Sequence, residues 1–343
     1  MSEPPLVVMS ERLGAPGEAE RAIESAGAVL RSAALGTEAD LIAGGVTADV
    51  LIVGAVEPVT RDVLAALPRL RCLVRRGVGV DNVDLAAATE LGIPVAYVPA
   101  ASVEEVSDHA LALLLAGERR IFDIVDRARA GDTAGAGEVG GQSRRFGTLT
   151  LGIIGFGRIG RALARKSRGV FGTVLAYDPV VRPEDVAGLG VPLVPLDELL
   201  DRADVISLHA PGPPDGRPVL SAAAFARLRR GAVLVNTARG ELIDEDALLA
   251  AVADGTVARA VLDVTRREPV PADSPLRGDD RIRLTAHTGA KGRASGAALR
   301  RAVVDAVLAA LAGQTPAHLA NPEVTGVPGY RLAGAAQPPR EAS

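Results

Sequence analysis

The chain has 343 residues, 48% of them hydrophobic but only 2% aromatic and none of them Trp, so any core must be packed mainly with Val, Leu, Ile and Ala. A formal net charge of −4, with no basic run interleaved with aromatics, argues against a nucleic-acid surface. The single cysteine, Cys72, excludes an internal disulfide or a cysteine metal cluster, and sits in an apolar run that reads as a buried, inert thiol.

The N-terminal stretch lacks a basic segment followed by a long apolar one, so no signal peptide is expected. Val7 to Met9 and Val50 to Val53 read as short buried strands separated by an Ala-rich helical stretch. Leu73-Val74 and Val95 to Val98 continue as strands, with a helix over Val83 to Leu91 between them. This is already a small doubly wound α/β unit. From Val103 to Leu115 the apolar residues Val106, Ala110, Leu111, Leu113 and Leu114 recur at helical spacing. The apolar part of that run, from His109 to Gly117, is too short to span a bilayer, so a soluble, cytoplasmic protein is expected. Thr133 to Gly141 reads as a glycine-rich loop. Strands are predicted near 150–154, 174–177, 205–208, 233–236, 260–263 and 282–285, and a helix over Ala297 to Ala312 is expected to pack back on the first domain. The Gly-, Ala- and Pro-rich tail after Val327 is expected to be mobile.

One stretch carries most of the chemistry. Leu151 to Ile154 reads as a buried strand, and Gly155, Gly157 and Gly160 then form G-x-G-x-x-G at the start of an amphipathic helix. Gly155 permits a tight turn, Gly157 lets backbone approach a pyrophosphate, and Gly160 lets helix and strand pack closely. The first-turn N–H groups, from Arg158, Ile159 and Gly160, face the phosphates with the positive end of the helix dipole. Val174 to Tyr177 forms the next strand and ends on Asp178. That acid is placed to accept from both hydroxyls of an adenosine ribose, and it would repel a 2′-phosphate. The motif therefore reads as a Rossmann-type dinucleotide site that prefers NAD.

Ligands in such sheets lie beyond the carboxyl ends of the strands. Three polar residues fall at strand ends there: Arg239 after Val233 to Asn236, Asp263 after Ala260 to Leu262, and His287 after Ile282 to Thr285. Glu268 lies between the last two, in Arg266-Arg-Glu-Pro269. The order Arg239, Glu268, His287 behind the glycine fingerprint resembles the D-isomer-specific 2-hydroxyacid dehydrogenases. So does Gly77-Val-Gly-Val-Asp-Asn-Val-Asp84, and the likeness runs from about Arg75 to Leu311. Val103 to Leu115 and Ala272 to Leu276 look most similar to the branch of C-terminal-binding-protein and phosphoglycerate-dehydrogenase-like members.

The resemblance implies an α/β fold of two domains. A Rossmann-type NAD-binding domain (104–289) is inserted into a discontinuous flavodoxin-like substrate domain (1–103 and 290–343). It implies a hydride transfer between NAD(H) and a small 2-hydroxy or 2-oxo acid of D configuration. Arg239 would hold the carboxylate and polarise the carbonyl, a task suited to a permanently charged planar fork. His287 would be the general acid in reduction and the base in oxidation. Glu268 would bond the other ring nitrogen, fix its tautomer and favour the protonated ring. Val78 and Gly79, with Gly77, would offer backbone N–H groups to the substrate, and Asp263 would hold the nicotinamide carboxamide. His209, Thr237, Ala238, His287 and Gly289 complete the expected cofactor contacts. Arg75 and Arg76 admit two readings: recognition of a second anionic group, or one arginine paired with Asp81 or Asp84 and the other solvated. His109 is expected to be packed near the domain junction and His318 to be exposed.

No metal is expected, because no His, Asp or Glu cluster has ligand spacing. A homodimer through the Rossmann domains is implied, using the long helix from Val103 and the glycine-rich segment after it. The chain departs from the family at Ala286, where a proline is usual before the histidine, in Thr288-Gly-Ala-Lys291 after it, and in having no Trp to close the pocket. Two other functions stay open. One is a dehydrogenase of a phosphonate or phosphorylated acid or aldehyde; the other is an NAD(H)-sensing, corepressor-like binding protein.

Overall fold

The computed structural model describes residues 3–213 and 215–332. The chain divides into two compact units, Met1–Ala101 with Gly292–Ser343 and Ser102–Lys291; the sequence reading put the boundaries at 103/104 and 289/290.

The first unit is a sheet of five parallel strands: β1 (Leu6–Ser10), β2 (Val29–Ala33), β3 (Val50–Val53), β4 (Cys72–Arg75) and β5 (Val95–Tyr97), in the order β2-β1-β3-β4-β5. This is the flavodoxin-like order, with its reversal between β1 and β3. Alternating residues feed two cores, as the period of two requires. Val8, Leu51, Val53 and Leu73 join one. Val7, Met9, Val50, Ile52, Cys72 and Val74 join the other, which is covered by Val303, Val304 and Val307 of the helix Arg293–Leu311.

Two expectations for this unit are overturned. The stretch between β1 and β3 is not all helical: β2 lies within it, between the helices Arg21–Ser25 and Glu38–Gly45. It is an edge strand with a mostly exposed pattern, so it lacks the apolar run that marks the other strands. Its pairing with β1, from Leu6 opposite Val29, supplies what its composition does not. The chain after Val327 is docked as far as it is described. Arg331 donates to the carbonyls of Leu67 (3.0 Å), Leu70 (2.6 Å) and Leu91 (3.1 Å), and Leu332 is buried. The rest of the expected mobile tail, 333–343, lies outside the described residues.

The second unit carries β6 (Thr150–Ile154), β7 (Thr173–Tyr177), β8 (Val205–Leu208), β9 (Ala232–Asn236), β10 (Val257–Leu262) and β11 (Ile282–Leu284) in one parallel sheet, ordered β11-β10-β9-β8-β6-β7. The strand order reverses between β6 and β8, so their carboxyl ends flank a crevice. Residues of β8 and β9 are buried on both faces, as expected for a sheet covered by helices on each side. Leu113 and Leu114 of the helix Val103–Glu118 and Leu163 of the helix Arg158–Ser167 cover one face. Leu199, Leu248 and Val252 cover the other.

The expected glycine-rich loop is a helix, Thr133–Gly141. Asp132 accepts from the backbone N–H of Gly135 at 2.8 Å and caps it, and Ala136 and Val139 bury one side. It packs on a further helix, Ile121–Arg129, for which no expectation was made. Among the described residues no helix is long and apolar enough to cross a membrane.

Candidate active site

The turn after β6 is shaped by contacts that only glycine allows. A Cβ on Gly155 (φ +92°) would lie 2.5 Å from the backbone N of Ala210 and the backbone C of His209, just past β8. A Cβ on Gly160 would lie 2.1 Å from the carbonyl oxygen of Gly155, so the helix sits directly on the turn. Gly157 is the N-cap of the helix Arg158–Ser167 and provides no side-chain cap, while the space where its Cβ would be is open to 4 Å. The first-turn N–H groups therefore border an open cradle.

Asp178, at the end of β7, is tied to this turn: Oδ2 accepts from the Phe156 N–H at 2.8 Å, and Oδ1 accepts from Val180 (2.9 Å) and Val181 (3.0 Å). Further along the carboxyl edge, Thr237 Oγ1 and His209 Nδ1 are buried without a hydrogen-bond partner among the described residues. The other ring nitrogen of His209 lies 2.8 Å from Ser207 Oγ, and burial pushes the ring pKa down to about 3, so the imidazole is neutral. An uncapped helix start, an open cradle and two unpartnered polar atoms fit a bound dinucleotide.

The loop after β9 is held by Asn236, which was not singled out from sequence. Its side chain accepts from the Ala238 N–H (3.0 Å) and donates to the Arg239 carbonyl (2.8 Å). Arg239 itself is partly buried and donates from Nη1 to the Ala238 carbonyl at 2.7 Å. A Cβ on Gly240 would fall 2.0 Å from the backbone C of Thr265. This glycine thus lets the Arg239 loop lie against the loop that bears Glu268.

Glu268 and His287, distant in sequence, meet here. Glu268 Oε2 is 2.6 Å from His287 Nδ1, and Oε1 accepts from the Thr265 N–H at 3.1 Å. Both side chains remain partly open to solvent. His287 adopts φ +50°, an uncommon left-handed conformation for a non-glycine residue. Asp263 lies beneath it. The residue is only 3% exposed, and its carboxylate accepts from Thr285 Oγ1, the Thr288 N–H (2.9 Å) and the Gly289 N–H (2.8 Å). Burial penalises its charge, yet these hydrogen bonds and the neighbouring His109 hold the carboxyl below the ordinary aspartate range. A depression of about 260 Å³ on this unit, lined by Glu245, Val270, Asp273 and Pro275 among others, includes none of the expected site residues.

In the first unit, Arg75 and Arg76 both donate to backbone carbonyls. Asp84 caps the helix Leu85–Glu90 by accepting from the Ala87 N–H at 2.8 Å. Arg76 is half-buried rather than solvated, donating from Nη1 to the Leu13 carbonyl at 2.8 Å. Burial and the nearby Arg300 lower its pKa. Arg75 is buried, with Nη1 donating to the Arg76 carbonyl at 3.1 Å, and its guanidinium occupies the space beside Gly77 (φ +140°). Val78, which is exposed, and the partly buried Gly79 follow. Cys72 is buried, and burial pushes its thiol pKa up to about 12, in line with an inert group. His318 is exposed. His109, in contrast, faces Asp263 at 3.5 Å from Nε2, an approach that nothing in the local sequence around it signals.

Residues 111–289 match the family model described as D-isomer specific 2-hydroxyacid dehydrogenase, NAD binding domain. The D-3-phosphoglycerate dehydrogenase of Mycobacterium leprae is 40% identical over 278 residues, covering 80% of this chain and 51% of that protein. The chain thus spans about half the length of such relatives. The glyoxylate reductase of Korarchaeum cryptofilum is 34% identical over 293 residues, covering 82% of this chain and 86% of that protein. Among solved structures, the D-lactate dehydrogenase of Aquifex aeolicus, complexed with NAD and lactic acid, superposes with a TM-score of 0.81 at 28% identity, covering 92% of this chain and 99% of that one.

Proposed function

The chain belongs to the D-isomer-specific 2-hydroxyacid dehydrogenase family, and from that premise we propose that it interconverts a small D-2-hydroxy acid and its 2-oxo acid using NAD(H). The observation that carries this reading is the 2.6 Å pair of Glu268 and His287 at the carboxyl edge of the dinucleotide-binding sheet. When bound, the nicotinamide ring accepts or donates the hydride. The chain's own residues do the rest. Arg239 binds the substrate carboxylate through its guanidinium and polarises the adjacent carbonyl. Glu268 accepts the Nδ1–H of His287, which commits the other ring nitrogen, Nε2, to the substrate. In reduction Nε2 donates its proton to the carbonyl oxygen; in oxidation it takes the hydroxyl proton. The Glu268 carboxylate offsets the charge of the protonated ring. Asp178 favours NAD over NADP by repelling a 2′-phosphate, and the backbone N–H groups of Val78 and Gly79 bind the substrate, a reading the family likeness supports.

Glyoxylate and 3-phosphohydroxypyruvate, the oxo acids matching the named relatives, are the first substrates to try, with hydroxypyruvate between them in size and carrying the single charge of glyoxylate. NADH consumption is expected with at least one of the three. His287→Asn should lower kcat by roughly 10²–10⁴ while NADH affinity stays within a few fold. Tight NADH binding without turnover of any 2-oxo acid in a wider panel would overturn the enzyme reading in favour of a cofactor-sensing protein. Cytoplasmic operation suits a chain whose one cysteine is a buried thiol.

A further inference from the structure

We propose that His109, on the helix Val103–Glu118, is a positioning residue for His287, acting through the Asp263 carboxylate. The proposal rests on the reading of His287 as the general acid–base. His287 has to hold its ring against Glu268 from a left-handed backbone (φ +50°), which the chain does not favour by itself. Asp263 supplies the constraint from both its main chain and its side chain. Its carbonyl accepts the His287 N–H at 2.8 Å, and its carboxylate gathers Thr285 Oγ1, the Thr288 N–H and the Gly289 N–H. Residues on both sides of His287 are therefore bound to one buried carboxylate.

That carboxylate must itself be kept charged and in place. The His109 imidazole faces it, with Nε2 3.5 Å from Oδ1. Nε2 is buried and has no hydrogen-bond partner among the described residues, so a small approach toward Oδ1 would satisfy it. The imidazole also packs on the loop: a Cβ on Gly289 would lie 3.3 Å from His109 Cδ2 and 3.0 Å from Asp263 Oδ2. The helix that carries His109 is seated on the sheet, with Gly117 close against Val233 and Val261. His109 thus lets a well-packed helix fix a loop whose own sequence, Thr285-Ala-His-Thr-Gly289, has little apolar surface with which to anchor itself.

Two substitutions separate a donor from a space-filler. His109→Gln keeps a side-chain N–H facing Asp263; His109→Phe keeps the ring but removes the donor, and His109→Leu serves if the phenyl ring does not fit. The donor-free variants should lose about 10- to 100-fold in kcat for reduction of glyoxylate, hydroxypyruvate or 3-phosphohydroxypyruvate, whichever the wild type turns over, with the Kd for NADH within about threefold. His109→Gln should stay within about threefold of wild type on both measures. Proton NMR of the substrate-free protein gives a readout independent of turnover. The low-field Nδ1–H resonance of His287 should persist in wild type and His109→Gln and be broadened or lost without the donor. Wild-type kcat in a donor-free variant, equal losses in the Gln and donor-free variants, or an unchanged His287 resonance would each overturn the role of His109. Absence of turnover by the wild type would count against the enzyme reading alone, and the NMR comparison would still decide the positioning.

Discussion

A neutral histidine at the carboxyl end of β8 makes a stability signature that can be measured. His209 has an ordinary pKa of 6.5 when exposed, and burial lowers it to about 3 in the folded chain. The unfolded chain therefore takes up a proton as pH falls below about 6.5, while the folded chain resists until about 3. Stability present above the first value is lost progressively as pH falls through the second. In urea titrations, wild type should lose more stability between pH 7 and pH 4 than His209→Asn, which cannot take up that proton. Parallel pH profiles for the two proteins would show that the ring is not held neutral. Cys72 illustrates the same force on a different group: the thiol is packed among buried apolar side chains such as Val50, Ile52 and Val74, and the short apolar run that follows it in sequence points to that burial. Asp263 could not be read so fully. The sequence places it at a strand end, but its oxygens find Thr285, Thr288 and Gly289 only because β10 and β11 lie side by side.

At the scale of elements, the helix Thr133–Gly141 is the clearest departure from expectation. Glycine is a poor helix former, and this segment is rich in it. What offsets the low propensity is a cap and a neighbour. Asp132 accepts from Gly135 and also pairs with Arg127 of the preceding helix at 2.7 Å, while Ala136 and Val139 are buried. The Gly135 hydrogen bond and Arg127 together hold the Asp132 carboxyl below its ordinary range. Asp132→Ala should accelerate hydrogen exchange of the amides from Ala136 to Gly141 by about fivefold, and Asp132→Asn, which can still cap, should restore most of the protection. Equal exchange in all three proteins would mean that packing alone sustains the helix. The edge strand β2 was missed for the complementary reason: only its pairing with β1 identifies it, and pairing is not written in local composition.

Over the whole molecule, two expectations can be put to the test. A homodimer is proposed from the family likeness, with the helix Val103–Glu118 and the glycine-rich segment Thr133–Gly141 at the interface. Between these two, Ile121 and Val125 lie on one short helix, 42% and 44% exposed, beside partly buried charge pairs of Asp123 with Arg259 and Arg283. Light scattering should return about twice the 35.1 kDa chain mass, and Ile121→Glu should shift the protein toward monomer. A monomeric wild type at micromolar concentration would refute the dimer. Within the first unit, Arg331 joins the C-terminal segment to three backbone carbonyls that lie far away in sequence. Its loss should destabilise that unit by about 1.5–3 kcal/mol, the range for hydrogen bonds to a charged group, and lower the midpoint of chemical unfolding. NADH affinity, a property of the second unit, should not change. A wild-type midpoint in Arg331→Ala would show that the segment's docking is incidental.

What the sequence by itself determined were features whose cause is local. The glycine turn, the acid closing the next strand and the polar residues just beyond apolar runs each follow from backbone freedom, strand length and charge within a few residues. Tertiary structure alone decided which of these meet. Glu268 reaches His287, Gly240 admits the Thr265 backbone, and His109 faces Asp263 because strand order sets which loops share the carboxyl edge of the sheet. That order is a property of non-local pairing and burial, which no short stretch of sequence encodes.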